Sequence, residues 1–136
     1  MATRHQVRES IVGLLYASDI GNEGIDKFVD EIFEEKKIRN NQLEFAKDLY
    51  SGIKINLVEV DTVINEYLKE WNLSEIGNIE RAILRLGTYE LLHSDLDDAV
   101  VINEAIELAK KLCNDTSPKF INGVLDAIKK EKESKA

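Results

Sequence analysis

One proline, Pro118, and seven glycines are all that punctuate a chain of 136 residues. So few breakers leave room for long helices and offer little turn chemistry for hairpins, so an all-α fold is the first expectation. A chain of this length buries roughly 65–70% of the surface it exposes when unfolded, enough for a core without staples. Apolar residues make up 43% of the sequence and charged residues 32%, a packed rather than a disordered balance. The expectation is one domain over residues 1–136.

Five helical stretches and a long stripe follow from the pattern. Thr3 followed by Gln6 forms a reciprocal capping box, after which Val7, Ile11, Leu14, Leu15 and Ser18 share one face and Gly21 closes the segment. Asn22 is placed to cap a second helix, in which Ile25, Phe28, Val29, Ile32 and Phe33 follow helical spacing with acids opposite. From Leu43 through Ala46, Tyr50, Ile53, Leu57, Val60, Ile64 and Tyr67 to Trp71, spacings of three and four form a long stripe, read as internal core rather than an intermolecular coiled coil. A straight helix over residues 41–70 would be roughly 45 Å long. A globule of this chain length is only about 37 Å across. The helix therefore overhangs or breaks, and Gly52 is the cheapest place for a break. Ser74 is read as the cap of a helix reaching His93, with Ile79, Ala82, Ile83, Leu86 and Leu91 inward. Asp97 or Asp98 starts a helix expected to be the most buried, carrying Val101, Ile102, Ala105, Ile106, Ala109 and Leu112. Ser117 as cap and Pro118 at the first helical position open the last helix, through Phe120, Ile121, Val124, Leu125 and Ile128. The end, residues 128–136, reads as a solvated, frayed tail.

Convergent chemistry is sparse. The lone cysteine, Cys113, closes no intrachain disulfide and reads as a buried structural thiol, consistent with a reducing, cytoplasmic setting. His93 near a helix end reads as a surface residue. Glu104 and Glu107 lie three apart but have no third ligand at metal spacing, so a solvated face is preferred. Phosphate loops, GxSxG and HExxH are missing from the sequence, and no apolar run approaches a membrane span of roughly 18 residues. Gly123 inside a helix suggests a close backbone contact. No enzyme, metal, cofactor or membrane role is expected.

The net charge of −8 argues against a tail-driven nucleic-acid binder, yet it is unevenly distributed. Residues 1–18 hold two arginines against one glutamate, residues 19–109 hold 9 basic and 21 acidic groups, and residues 110–136 hold seven lysines against four acids. The ends are thus +1 and +3 and the middle −12. Were the terminal helices neighbours, Arg4, His5, Arg8, Lys110, Lys111 and Lys119, with Tyr16 and Phe120 for stacking, would suit a single nucleic-acid strand. Ordinary surface lysines and core aromatics are the competing reading.

The runs IERAILRLGTYELL (79–92), VVINEAIELAKKL (100–112) and SPKFINGVLDAI (117–128), with RESIVGLLYA at 8–17, together resemble the NusB family of bacterial transcription antitermination factors. The resemblance implies about seven helices in two packed bundles forming one compact domain. It also implies a non-enzymatic adaptor that pairs with the small ribosomal protein NusE, binds single-stranded boxA RNA and serves the RNA polymerase antitermination complex on ribosomal RNA operons. Carried over by motif, Arg4, His5, Arg8, Thr116, Lys119 and Phe120 would touch RNA, with Tyr16, Tyr67 and Glu80 at or near the shared protein and RNA face. Many members open with a dense arginine run where this chain has TRHQVRES, so weak RNA binding by the isolated protein, strengthened by its partner, is expected. The alternatives are a helical protein-interaction module without RNA binding and the amino-terminal module of RNA cytosine methyltransferases; the latter's Gly-rich cofactor loop and catalytic cysteine motif are not found here. Family members occur as monomers and as homodimers, and the stripe does not choose between them.

Overall fold

A computed structural model describes residues 3–21, 23–69 and 71–135. Among them the chain forms seven α-helices and no strand: α1 Arg4–Asp19, α2 Val29–Glu35, α3 Asn41–Ile55, α4 Leu57–Glu66, α5 Asn78–His93, α6 Asp98–Leu112 and α7 Ser117–Lys135. Short 3-10 turns at Glu23–Phe28 and Leu73–Glu75 precede α2 and α5. The helices divide into two compact units, residues 1–55 and 56–136.

In the first unit the Thr3 and Gln6 box is present in both directions, with Thr3 Oγ1 accepting from the Gln6 N–H at 3.1 Å and Gln6 Oε1 accepting from the Thr3 N–H at 2.8 Å. It fixes the start of α1, which packs on α3. Val7, Ile11, Leu14 and Leu15 are buried as their spacing requires, as are Ala46, Leu49 and Ile53 of α3. Gly21, at φ 101°, supplies the left-handed turn after α1. Asn22 lies outside the described residues. The expected second helix is split: residues 23–28 wind as a 3-10 turn, which leaves Phe28 half exposed, and only Val29–Glu35 is α-helical, anchored by the fully buried Phe33. Tyr50 ties the turn to α3 by donating to Asp26 Oδ1 at 2.6 Å.

The long stripe is core, since Ala46, Tyr50, Ile53, Val60 and Ile64 are all buried. It does not break at Gly52. That glycine lies inside α3, between buried Tyr50 and Ile53, and the interruption falls at Asn56, whose φ of −100° and ψ of 18° leave the helical region. A glycine penalty of about 1 kcal/mol is outweighed where burial fixes the flanking turn. The break instead falls where one compact unit ends and the next begins.

The second unit is built on α5, which packs against α4, α6 and α7. Eight of its residues are buried, against five in α6, so α5 and not α6 is the most buried helix. Its neighbours cover it on several sides, including the buried Thr88 and Glu90. The glycine of LGTYELL has a packing reason: a Cβ on Gly87 would lie 2.9 Å from Leu125 Cδ1 of α7. Gly123 has none, with nothing within 4 Å of a Cβ there, contrary to the close contact expected. Ser74 caps no long helix; it sits in the 3-10 turn, and α5 starts at Asn78 after Gly77. Residues 128–135 are helical, as the last turns of α7. Lys132 Nζ donates to Leu91 O at 2.8 Å and to Asp98 Oδ1 at 2.6 Å, joining the end of α5 and the start of α6 to the last turns of α7.

Candidate functional site

The expected site residues fall in both units. In the first, Arg4, His5, Arg8 and Tyr16 all lie on α1. The Arg4 guanidinium is exposed and sits 4.2 Å from the centroid of the Phe45 ring on α3. That of Arg8 is 5.3 Å from the same centroid. Arg8 is only 3% exposed, so it packs into the unit beside Phe45 while Arg4 lies on the exposed side. His5 is half-buried and Tyr16 is 37% exposed. Phe45 was not legible as a site residue, because nothing local links it to an arginine some forty positions earlier.

In the second unit, Glu80 from α5, Thr116 from the loop before α7, and Ser117 and Phe120 from its start line one open cavity of about 370 Å³, together with Trp71, Glu75, Gly77 and Asn114. The loop into α7 is organised by Asn114, whose Oδ1 accepts from the Thr116 N–H at 3.1 Å, the Thr116 hydroxyl at 2.7 Å and the Ser117 hydroxyl at 3.1 Å. Ser117 is the first residue of α7 and not its cap. Its hydroxyl also lies 2.8 Å from Glu80 Oε2 and can donate there. Burial, and then the Glu80 carboxylate, push the Cys113 thiol up to about 11, with the Ser117 hydroxyl acting the other way. Cys113 is half-buried at the end of α6 and is a neutral thiol at pH 7.

A second cavity of about 560 Å³ shares Trp71 and Phe120 with the first and adds Tyr67, Lys119 and Gly123. Slight desolvation and the carboxylates of Glu131 and Glu66 raise the Tyr67 hydroxyl, which stays neutral. Lys119 is exposed. Trp71, 58% exposed, stands between the two cavities. Sequence reasoning placed it only as the last member of a core stripe, whereas the helix that carries the stripe ends at Glu66, before reaching it. Elsewhere, His93 is exposed with Nε2 2.6 Å from Glu59 Oε1, and Glu107 faces Lys110. Among the described residues no cluster of His, Cys, Asp or Glu is arranged to hold a metal, and no helix is long and apolar enough to cross a membrane.

The model of the NusB family matches residues 5–130. The chain belongs to the NusB family. The transcription antitermination protein NusB of Nitratiruptor sp. is 62% identical over 131 residues, covering 96% of this chain and 94% of that protein. That of Sulfurimonas denitrificans is 58% identical, covering 97% and 100%. Among solved structures, NusB of T. maritima superposes with a TM-score of 0.84 at 36% identity, covering 96% of this chain and 92% of that one. A chain of a crystal structure of the antitermination factors NusB and NusE with double-stranded RNA gives 0.83 at 34% identity, covering 94% and 96%. NusB membership makes this chain a transcription antitermination factor, of a family that is not enzymatic.

Proposed function

We propose that the chain is an RNA-binding adaptor that binds single-stranded boxA RNA of ribosomal RNA operons jointly with the small ribosomal protein NusE, within the RNA polymerase antitermination complex of the cytoplasm. The observation that carries this reading is the likeness, over nearly the whole of both chains, to a structure of NusB and NusE with RNA, there double-stranded. The geometry supports it residue by residue. Arg4, stacked on Phe45, and the exposed Lys119 are cations for phosphate. Phe120 and Trp71 offer ring faces for unstacked bases. Thr116 and Glu80 supply hydrogen-bonding groups beside them. His5, Tyr16 and Tyr67 complete the set on the RNA or partner side, and Arg8 acts from beneath by supporting Phe45.

Few cations are offered to RNA by either unit, so the isolated protein is expected to bind RNA weakly and a basic partner to strengthen it. The deciding experiment is a titration of labelled boxA-like RNA, single-stranded and as a duplex, into the protein with and without NusE. The expected result is tighter binding of the single strand by the heterodimer. Equal binding with and without NusE sinks the shared-site reading. No binding in either state leaves a protein-interaction module instead.

A further inference from the structure

Glu80 is held in an unusual way for an open cavity. Its carboxylate folds back over the start of α5 until a Cβ on Gly77 would lie 2.3 Å from Oε1 and 3.0 Å from Cδ. From the other side, Ser117 Oγ reaches Oε2 at 2.8 Å. Gly77 has φ −57° and ψ 145°, which any residue can adopt, so the backbone does not require glycine there. What glycine provides is room. The nearby Glu75 carboxylate folds back to accept from the Asn72 N–H at 2.9 Å, whereas the Glu80 carboxylate is held between Gly77 and Ser117 and keeps acceptor capacity beyond its one bond from Ser117.

We propose that Gly77 is a positioning residue: its missing side chain is the space in which the Glu80 carboxylate is held, and the fixed carboxylate selects an unstacked base by its N–H edge. The RNA part of this proposal rests on the RNA-binding reading above. A carboxylate repels phosphate, so a cavity containing one is suited to a base and not to the backbone. The rings of Trp71 and Phe120 supply stacking beside it. Guanine is the best match, because its adjacent N1–H and N2–H donors face two carboxylate oxygens. Uracil offers one N–H between two carbonyl oxygens that the carboxylate would repel.

Two readouts test this separately. The first needs no RNA: Cys113 is the chain's only thiol, and Glu80 and Ser117 both act on it. Glu80→Gln removes the nearby charge and should speed alkylation of Cys113 at pH 9. Gly77→Ala should act in the same direction, because a displaced carboxylate releases the Ser117 hydroxyl to the thiolate. An alkylation rate in Gly77→Ala equal to that of the parent, with helical circular dichroism retained, overturns the positioning role whether or not RNA binds. The second readout compares boxA-like RNAs in which each guanosine is replaced in turn by inosine, which lacks the N2 amino group, using the complex with NusE. In the parent, one replacement should weaken binding about fivefold. In Gly77→Ala and Glu80→Gln, binding of the unmodified RNA should fall about tenfold and that same replacement should cost nothing more. Persistence of the inosine penalty in Gly77→Ala overturns the selection step. Failure of the parent complex to bind RNA at all overturns both the RNA-binding reading and the selection step, and leaves the positioning role to the thiol measurement.

Discussion

Arg85 and Asp61 meet at two points, Nε to Oδ1 at 2.8 Å and Nη2 to Oδ2 at 2.9 Å, clasping α5 to α4. Their side chains are 11% and 26% exposed, so the pair is sheltered from much of the screening that makes surface ion pairs weak. A two-point pair uses the planar guanidinium in a way that lysine cannot reproduce. Asp61→Ala should therefore destabilise the protein by about 1–3 kcal/mol, and Arg85→Lys should fail to preserve the parent stability. Urea unfolding followed by circular dichroism measures both. A midpoint unchanged in Asp61→Ala would mean that the clasp adds nothing to the fold.

Tyr50 gives a pH-dependent expectation. Burial first, and then its hydrogen bond to Asp26, hold its hydroxyl well above the ordinary tyrosine range. In the unfolded chain a tyrosine ionises near about pH 10. Below that pH both states are protonated and the contribution is complete; above it the unfolded state loses its proton first, so stability falls as pH rises. The parent should lose more stability between pH 9 and 11 than Tyr50→Phe, which has no proton to lose. Parallel pH dependences for the two proteins would contradict this.

What could be read in the chain was local. Thr3 and Gln6 are three residues apart, and their capping box depends on nothing beyond the first turn. Helical spacing likewise located the buried faces of α1, α3, α4 and α5. Features that depend on a distant partner were hidden or misread. Propensity is local and points to Gly52 as the weak point, yet burial of its neighbours keeps it helical and the break falls at Asn56. Of two glycines in helices, the one with no neighbour, Gly123, drew the packing argument, whereas Gly87, against Leu125, did not. The same holds for the site. The family motifs pointed to Glu80, Thr116, Lys119 and Phe120, but neither the placement of Arg8 beneath the surface nor the parts played by Phe45, Trp71 and Asn114 has any signature at short range.

Arg4 and Lys119 are both exposed, and both are cations proposed to meet phosphate. Arg4→Glu combined with Lys119→Glu should weaken boxA-like RNA binding at least tenfold and lower the salt slope by about 1.4, or about 0.7 for each single-strand phosphate that is no longer neutralised. The fold should survive. Glutamate at the first residue of α1 suits the positive end of the helix, and only the stacking of Arg4 on Phe45, about 0.5–1 kcal/mol, is given up. Fluorescence anisotropy at several salt concentrations, with circular dichroism of the same samples, measures both effects. Loss of the helical signal would assign these residues to the fold instead of to RNA.

Two glycine substitutions should move stability in opposite directions. Alanine in a helix interior is favoured over glycine by about 1 kcal/mol, so Gly123→Ala, which meets nothing within 4 Å, should stabilise α7 by up to that amount. Gly87→Ala gains the same propensity but drives a methyl to 2.9 Å from Leu125 Cδ1. Leu125 is fully buried, so its side chain has no open space into which to turn, and overpacking of this kind costs about 1–3 kcal/mol. The net expectation for Gly87→Ala is a loss of up to about 2 kcal/mol, after the propensity gain is subtracted. A double-mutant cycle isolates the cause: combined with Leu125→Ala, Gly87→Ala should no longer destabilise, since the clashing atoms are gone. Additive effects of the two substitutions in thermal unfolding would show that the approach of α5 to α7 is not set by this pair.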